Sequence, residues 1–197
     1  ADTNVPTSDP FLRGAVRVIQ PQSGYRAGLD AVLLAASIEA EPGARVAEAG
    51  CGAGAAALCL AARRTDLRLD GYERDAAMAE LARAGAAANG FEARVGIRLH
   101  DVAERPDDLR NGYDHAFANP PWFAPAASRA PAEGKKHAFL AETPLRCWGL
   151  FLAHLVRRGG WITLIHRAAA LSEALKALEG QVGALEVLPI RPAPGRP

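Results

Sequence analysis

Cysteine is scarce in this sequence, three residues in 197. Cys51, Cys59 and Cys147 form no CxxC pair and no metal-ligand spacing, so neither a disulfide framework nor a structural zinc site is expected, and no metal is assigned. An odd, sparse set without a secretory signal reads as a reduced, cytoplasmic protein. The five histidines, His100, His115, His137, His154 and His166, stand singly, and none opens an HExxH pattern. No apolar run approaches the roughly 20 residues that span a bilayer, which gives no membrane partner. A dominant charge is missing too: 23 basic side chains face 22 acidic ones, for a net charge of +1. Any nucleic-acid contact must then come from a local patch, since the overall field is close to neutral. What remains is an ordinary globular balance, 49% hydrophobic and 23% charged, in a chain of the size of one domain with a sizeable core.

Residues 1–10 are polar and Pro-bearing and are expected as a flexible arm, with 11–197 as a single domain. Leu29, Val32, Leu33 and Ala36 follow the spacing of a half-buried helix. From there strands and helices alternate. Strands are expected at Arg45–Glu48, Leu67–Glu73, Arg94–His100, Tyr113–Ala118, Trp161–His166 and Leu185–Ile190. Helices are expected at Ala53–Arg64, at Ala76–Ala88 closed by Asn89-Gly90, and at Leu171–Glu179. Another helix should open at Thr143-Pro144, bury Leu145, Trp148, Leu152 and Leu155, and stop at Gly159-Gly160. Such alternation predicts an α/β fold, a doubly wound, largely parallel Rossmann-like sheet with helices on both faces. Ligands bind beyond the carboxyl ends of its strands, at the switch point.

The residues that carry chemistry fall at those ends. The first strand of this sheet runs through Glu48-Ala-Gly50-Cys51-Gly52-Ala-Gly54 into a helix. Glycines here let the backbone approach a bound molecule closely, and the helix start carries partial positive charge. The spacing is GxGxG, where nicotinamide enzymes use GxGxxG. Glu48 in front suits a cationic ligand with an amino-acid end. Glu73 ends the next strand, where a doubly wound domain places the carboxylate that accepts ribose hydroxyls. Asp101 ends the third and offers an acceptor to an adenine amino group. Cys51 serves as a small residue in the turn.

Asn119-Pro120-Pro121-Trp122 follows the fourth strand. The two prolines fix φ and remove two backbone donors, leaving carbonyls that only accept. The Asn119 side-chain oxygen and the Pro120 carbonyl can then converge on one NH2 group, turning its lone pair outward. Trp122 offers a flat face to an extruded base or a planar amide.

EAGCGAG, strand-end Glu73, strand-end Asp101 and NPPW together resemble the motifs of the amino-methyltransferases with an Asn-Pro-Pro-aromatic loop. The upstream QPQSGYRAGLDAVLLA narrows this: it is similar to the segment before the glycine loop in the bacterial tRNA1(Val) adenine N6-methyltransferase family. The likeness runs from about Val18 to Pro194. It implies S-adenosyl-L-methionine as cofactor and N6 of adenine in tRNA as target. It assigns Gln22, Tyr25, Arg26 and Asp30 to enclosing the cofactor, with Tyr25 or Arg26 reaching its methionine end. Glu48, Gly50, Cys51, Gly52, Gly54, Glu73, Arg74, Asp101, Val102 and Asn119 complete that cofactor site. Asn119, Pro120, Pro121 and Trp122 carry the target. Glu48 stands where Asp is usual, a change of length and not of role; Trp122 stands where Tyr or Phe is commoner, which changes the size or shape of the pocket.

Transfer of a methyl group by in-line displacement needs positioning and desolvation more than a strong base. C5 methylation of a pyrimidine would need a cysteine nucleophile, and this loop has none. RNA phosphates are assigned to Arg129, Lys135 and Lys136 beside the motif, with Arg157, Arg158, Arg167, Arg191 and Arg196 further on. Arg157 and Arg158 also suit a helix C-terminus without any ligand. Glutamine-N5 and guanine-N2 methyltransferases of similar motif, and a non-catalytic S-adenosylmethionine-binding scaffold, are the alternatives. The resemblance also implies a closing hairpin with one more strand after RPAPGRP. The expectation is therefore six core strands and an incomplete final hairpin.

Overall fold

The computed structural model describes residues 5–121 and 143–191. Strands β3 (Arg45–Ala49), β4 (Arg68–Glu73), β5 (Val95–Leu99), β6 (Tyr113–Ala118) and β7 (Val156–Leu164) form one sheet in the order β5-β4-β3-β6-β7. Every pairing in it is parallel. Helices α1 (Leu29–Ser37), α2 (Ala55–Arg63), α3 (Ala76–Ala88), α4 (Leu145–Leu155) and α5 (Leu171–Leu178) surround it. The expected α/β, doubly wound Rossmann-like sheet is therefore present.

Alternation along the strands sorts the core into two faces. Val46 and Phe117 join a cluster with α1 and α2, while Ala47, Ala49, Ala116 and Ala118 pack with Trp148, Phe151, Leu152 and Leu155 of α4. Helix α2 is buried continuously from Ala55 to Ala61. Its small side chains let it lie close to the sheet, α1 and α3 at once. Helix α3 starts cleanly because the Asp75 carboxylate accepts from the Ala77 and Met78 amides.

Four expectations need correction. Residues 7–11 form strand β1 (Thr7–Phe11), antiparallel to β2 (Val16–Gln20) in a separate hairpin. Asp9 organises it, accepting from Thr7 Oγ1 at 3.0 Å, Gln20 Nε2 at 2.9 Å and the Arg26 guanidinium. Polar residues here are bonding partners, which is why the segment reads as a loose arm in sequence.

Helix α4 begins after Pro144, which occupies the cap position itself without a side-chain cap, and ends at Leu155. Strand β7 follows at once: Val156 pairs with Tyr113, and Trp161 pairs with His115. The intervening residues bulge out. Gly160 permits this, because a Cβ there would stand 2.5 Å from the Asp114 carbonyl oxygen.

Lastly, Leu185–Ile190 is not a strand, so the parallel sheet has five strands among the described residues and not six. An alternating pattern specifies a strand only when a neighbour takes its backbone groups. No described strand does so, and Leu188 is 74% exposed.

Candidate functional site

The switch point lies between β3 and β6, whose crossovers leave in opposite directions. A cleft of about 1020 Å3, counting its part open to solvent, lies at the carboxyl ends of these strands. The described strand ends supply its floor: Gly50, Cys51 and Gly52 after β3, Glu73 and Arg74 at β4, His100 and Val102 after β5, and Asn119 and Pro121 after β6.

Glu48 points into the α2 N-terminus, where Oε2 accepts from the Ala57 amide at 2.9 Å. Glu73 spans the turn: Oε2 accepts from Gly52 N and Oε1 from Asp75 N, both at 2.8 Å. Each Glu73 oxygen keeps a lone pair for a further donor. Burial raises the pKa of both carboxyls. It takes Glu48 to about 8, against the lowering effect of the Ala57 amide and helped by Glu73. Burial also dominates at Glu73, opposed by the Asp75 and Gly52 amides. A ligand bringing hydroxyl donors and positive charge would relieve both groups.

This gives a pH prediction for the ligand-free protein. Between the unfolded carboxyl value and about 8, the folded state keeps the Glu48 proton that the unfolded state has lost. Stability should therefore fall as pH rises through that window and level off above it. Glu48→Gln should remove that part of the slope in denaturation series from pH 5 to 9. An unchanged slope would show that Glu48 ionises freely in its buried position.

Gly50 has φ +62°, and its missing Cβ is occupied by an aromatic ring: a Cβ would lie 2.3 Å from Cη2 of Trp148. Trp148, on α4, is 3% exposed and lines the cleft. Its Nε1–H is buried with no acceptor among the described residues, a donor that a ligand atom would satisfy. Cys51 is buried against Gly71, and burial with the nearby Glu48 and Glu73 charges pushes its thiol pKa well up. It is a packing residue here and no thiolate nucleophile.

The cleft brings together Tyr25, Glu48, Gly50, Cys51, Gly52, Glu73, Arg74, Val102, Asn119 and Pro121 of the residues expected from sequence. Tyr25 is held protonated, its pKa pushed up to about 12 by burial and then by Asp30 and Glu48, so it faces the cleft as a phenol. The other expected residues that the structure describes lie outside the lining. Gln22 is exposed. Arg26 is tied to Asp9, Thr7 and the Pro21 carbonyl. Asp30 bonds Asn119, accepting from its Nδ2 at 2.6 Å. Gly54 is the α2 cap, and Pro120 is buried. Asp101 faces Arg74 at 3.6 Å and accepts from Ala103 N at 2.9 Å. Trp122, Arg129, Lys135, Lys136 and Arg196 lie outside the described residues. Of the other basic residues, Arg157 donates to Asp114 at 2.6 Å, bracing the β7 bulge.

Sequence reasoning missed Gln20, Met78, His100, Thr143 and Trp148 in the lining. Gln20 had a findable signal, a polar residue at a buried position of the AVRVIQ stretch. It is 2% exposed, and its Oε1 accepts from Ala27 N at 2.7 Å. It thereby links the hairpin to the loop carrying Tyr25. Trp148 reads as one more apolar position on a helix face.

A family-level sequence model described as "Methyltransferase small domain" matches residues 26–187. The chain belongs to the methyltransferase small domain family. This small domain is 34% identical over 126 residues to a tRNA1(Val) (adenine(37)-N6)-methyltransferase of Yersinia enterocolitica, covering 60% of this chain and 50% of that protein. It is 29% identical over 144 residues to the protein of that name from Pectobacterium carotovorum, covering 71% of this chain and 58% of that one. The chain thus spans about half the length of the curated relatives it matches. Among solved structures, it is similar to a predicted O-methyltransferase from Agrobacterium tumefaciens, with TM-score 0.61 and 28% identity over 76% of this chain and 67% of that one. A SAM-dependent O-methyltransferase from Thermotoga maritima shares the fold of the small domain, with TM-score 0.57 and 21% identity over 89% of this chain and 60% of that one. No helix of the small domain's described residues is long and apolar enough to cross a membrane.

Proposed function

We propose that this domain transfers a methyl group from S-adenosylmethionine to an exocyclic amino nitrogen, N6 of adenine in tRNA. The observation that carries the reading is Asn119-Pro120-Pro121 at the end of β6, beside a cleft holding Glu48 and Glu73. When bound, S-adenosylmethionine supplies an electrophilic methyl group on a cationic sulfur. Glu73 accepts its ribose hydroxyls with the lone pairs left by the Gly52 and Asp75 amides. Glu48, below the glycine turn and ionised when that charge arrives, balances the α-ammonium group of its zwitterionic amino-acid end. Tyr25 closes that end from the hairpin side.

On the other side, the Asn119 side-chain oxygen and the Pro120 carbonyl accept the two amino protons of the target. This holds the nitrogen lone pair toward the donor and excludes water from it. We assign Trp122 to stacking on the target base, and Arg129, Lys135 and Lys136 to phosphates. The names of the Yersinia and Pectobacterium relatives support adenine in tRNA over a protein amide or guanine.

Glu73→Ala should weaken S-adenosylmethionine binding by about 1.5–3 kcal/mol, through loss of charge-assisted hydrogen bonds. Calorimetry checks this, and unchanged affinity would remove Glu73 from the site. The reaction itself is tested by tritiated methyl transfer to separate tRNA, DNA and protein fractions. Label in tRNA is expected; label confined to DNA or protein would overturn the substrate reading.

A further inference from the structure

The proposed reaction needs the Asn119 amide to present its oxygen, and not its NH2, to the target. The two ends of an asparagine amide are nearly the same size, so shape alone selects between them weakly. The rigid prolines after Asn119 fix the backbone but leave the amide plane to its hydrogen-bond partners.

Asp30 supplies that selection. It sits in the first turn of α1, outside the cleft lining. Its carboxylate bridges two donors: Oδ1 accepts from the Gly28 amide at 3.2 Å and Oδ2 accepts from Asn119 Nδ2 at 2.6 Å. A carboxylate only accepts, so it bonds the NH2 end of the amide and rejects the oxygen end. The contact joins residues 89 apart in sequence. It locks the first helix to the switch-point loop.

We propose that Asp30 is a positioning residue for the methyl-acceptor site. By holding the Asn119 NH2, it turns Oδ1 toward the target's amino group. Its negative charge also polarises the amide, making that oxygen a better acceptor as the target nitrogen becomes positive. This rests on the reading of Asn119 as the acceptor of the target amine. The consequence is specific to target chemistry: loss of Asp30 lets the amide turn over and offer donors to a group that is itself a donor.

The test is a double-mutant cycle on the full chain, using single-turnover methyl transfer to bulk tRNA at saturating S-adenosylmethionine. Asp30→Ala should lower the methyl-transfer rate roughly tenfold or more, the scale of one hydrogen bond to a charged group. Affinity for S-adenosylmethionine by calorimetry should change less than about twofold, because Asp30 lies outside the cleft lining. Asp30→Asn keeps an acceptor oxygen and should recover part of the lost rate. In an Asn119→Ala background, Asp30→Ala should have almost no further effect on rate. A merely structural role in α1 would lower the rate equally in both backgrounds.

Equal losses in both backgrounds, or a full rate for Asp30→Ala beside an impaired Asn119→Ala, would overturn the positioning role alone. A full rate for Asn119→Ala, or no transfer to tRNA by the parent chain, would overturn the reading of the site and this inference with it.

Discussion

Asn119→Ala should lower kcat for methyl transfer by roughly 10²–10³, the scale of removing one preorganised polar group at a developing charge. S-adenosylmethionine affinity should stay near native. The asymmetry follows from when the Asn119 oxygen matters. A neutral amine in the ground state gains an ordinary hydrogen bond, whereas the amine accepting a methyl group becomes cationic and binds the same oxygen more strongly. An interaction that strengthens toward the transition state appears in kcat. Folding should survive, because the loop position is set by the following prolines, by β6 and by buried Pro120. Pre-steady-state transfer and calorimetry separate the two effects. Equal losses of cofactor affinity and rate would instead make Asn119 a cofactor residue.

Gly50→Ala should destabilise the fold and deform the cleft together. Its φ of +62° is in the left-handed region, and an added Cβ would stand 2.3 Å from Cη2 and 2.5 Å from Cζ3 of Trp148. Backbone strain and overpacking each cost about 1–3 kcal/mol, so a combined loss of roughly 2–6 kcal/mol is expected. Cofactor affinity should fall as well, because the displaced indole lines the site. The two residues should also be coupled. Trp148→Leu alone leaves a cavity, but in the Gly50→Ala background it removes the clash and should cost less than it does alone. Denaturant melts of the four proteins measure the coupling. Strictly additive losses would mean the ring moves aside freely, and that the Gly50–Trp148 contact does not shape the cleft.

The sheet was legible because each of its central strands ends on a residue whose chemistry marks a strand end: Gly50 after β3, Glu73 on β4, Asn119 after β6. The helix and strand boundaries there differ from expectation by only one or two residues, apart from α4 and β7. Those two were misjudged because Gly159-Gly160 looks like a helix stop. In the structure the glycines serve a bulge braced by Arg157 on Asp114, a tertiary contact that has no local signature. The hairpin of Thr7–Gln20 was hidden for a similar reason. Its Asp9 hub needs Gln20 and Arg26, 11 and 17 residues away, to make a polar segment into a strand.

In the cleft, residues marked by their own chemistry at a strand end were legible, and residues brought there by their neighbours were not. Glu48, Glu73 and Asn119, two carboxylates and an amide expected at strand ends, line the cleft. Trp148 reads as core, and it is core, packed with Phe151 and Leu152. That its ring also closes on Gly50 is a matter of helix placement. Asp30 was assigned to enclosing a cofactor, while its carboxylate lies on Asn119, 89 positions along the chain. Arg26 suits an anionic ligand end by charge, yet Asp9 takes it. Charge alone does not reveal whether an arginine meets a ligand or an acid of its own chain.

The most direct measurement is nucleoside analysis by mass spectrometry of unmodified tRNA transcripts incubated with the chain and isotopically labelled S-adenosylmethionine. An Asn119 oxygen and a Pro120 carbonyl accepting from one NH2 group predict label in N6-methyladenosine, abolished or greatly slowed by Asn119→Ala. Label on a ribose hydroxyl or on a ring nitrogen, or label that survives Asn119→Ala undiminished, would contradict the account.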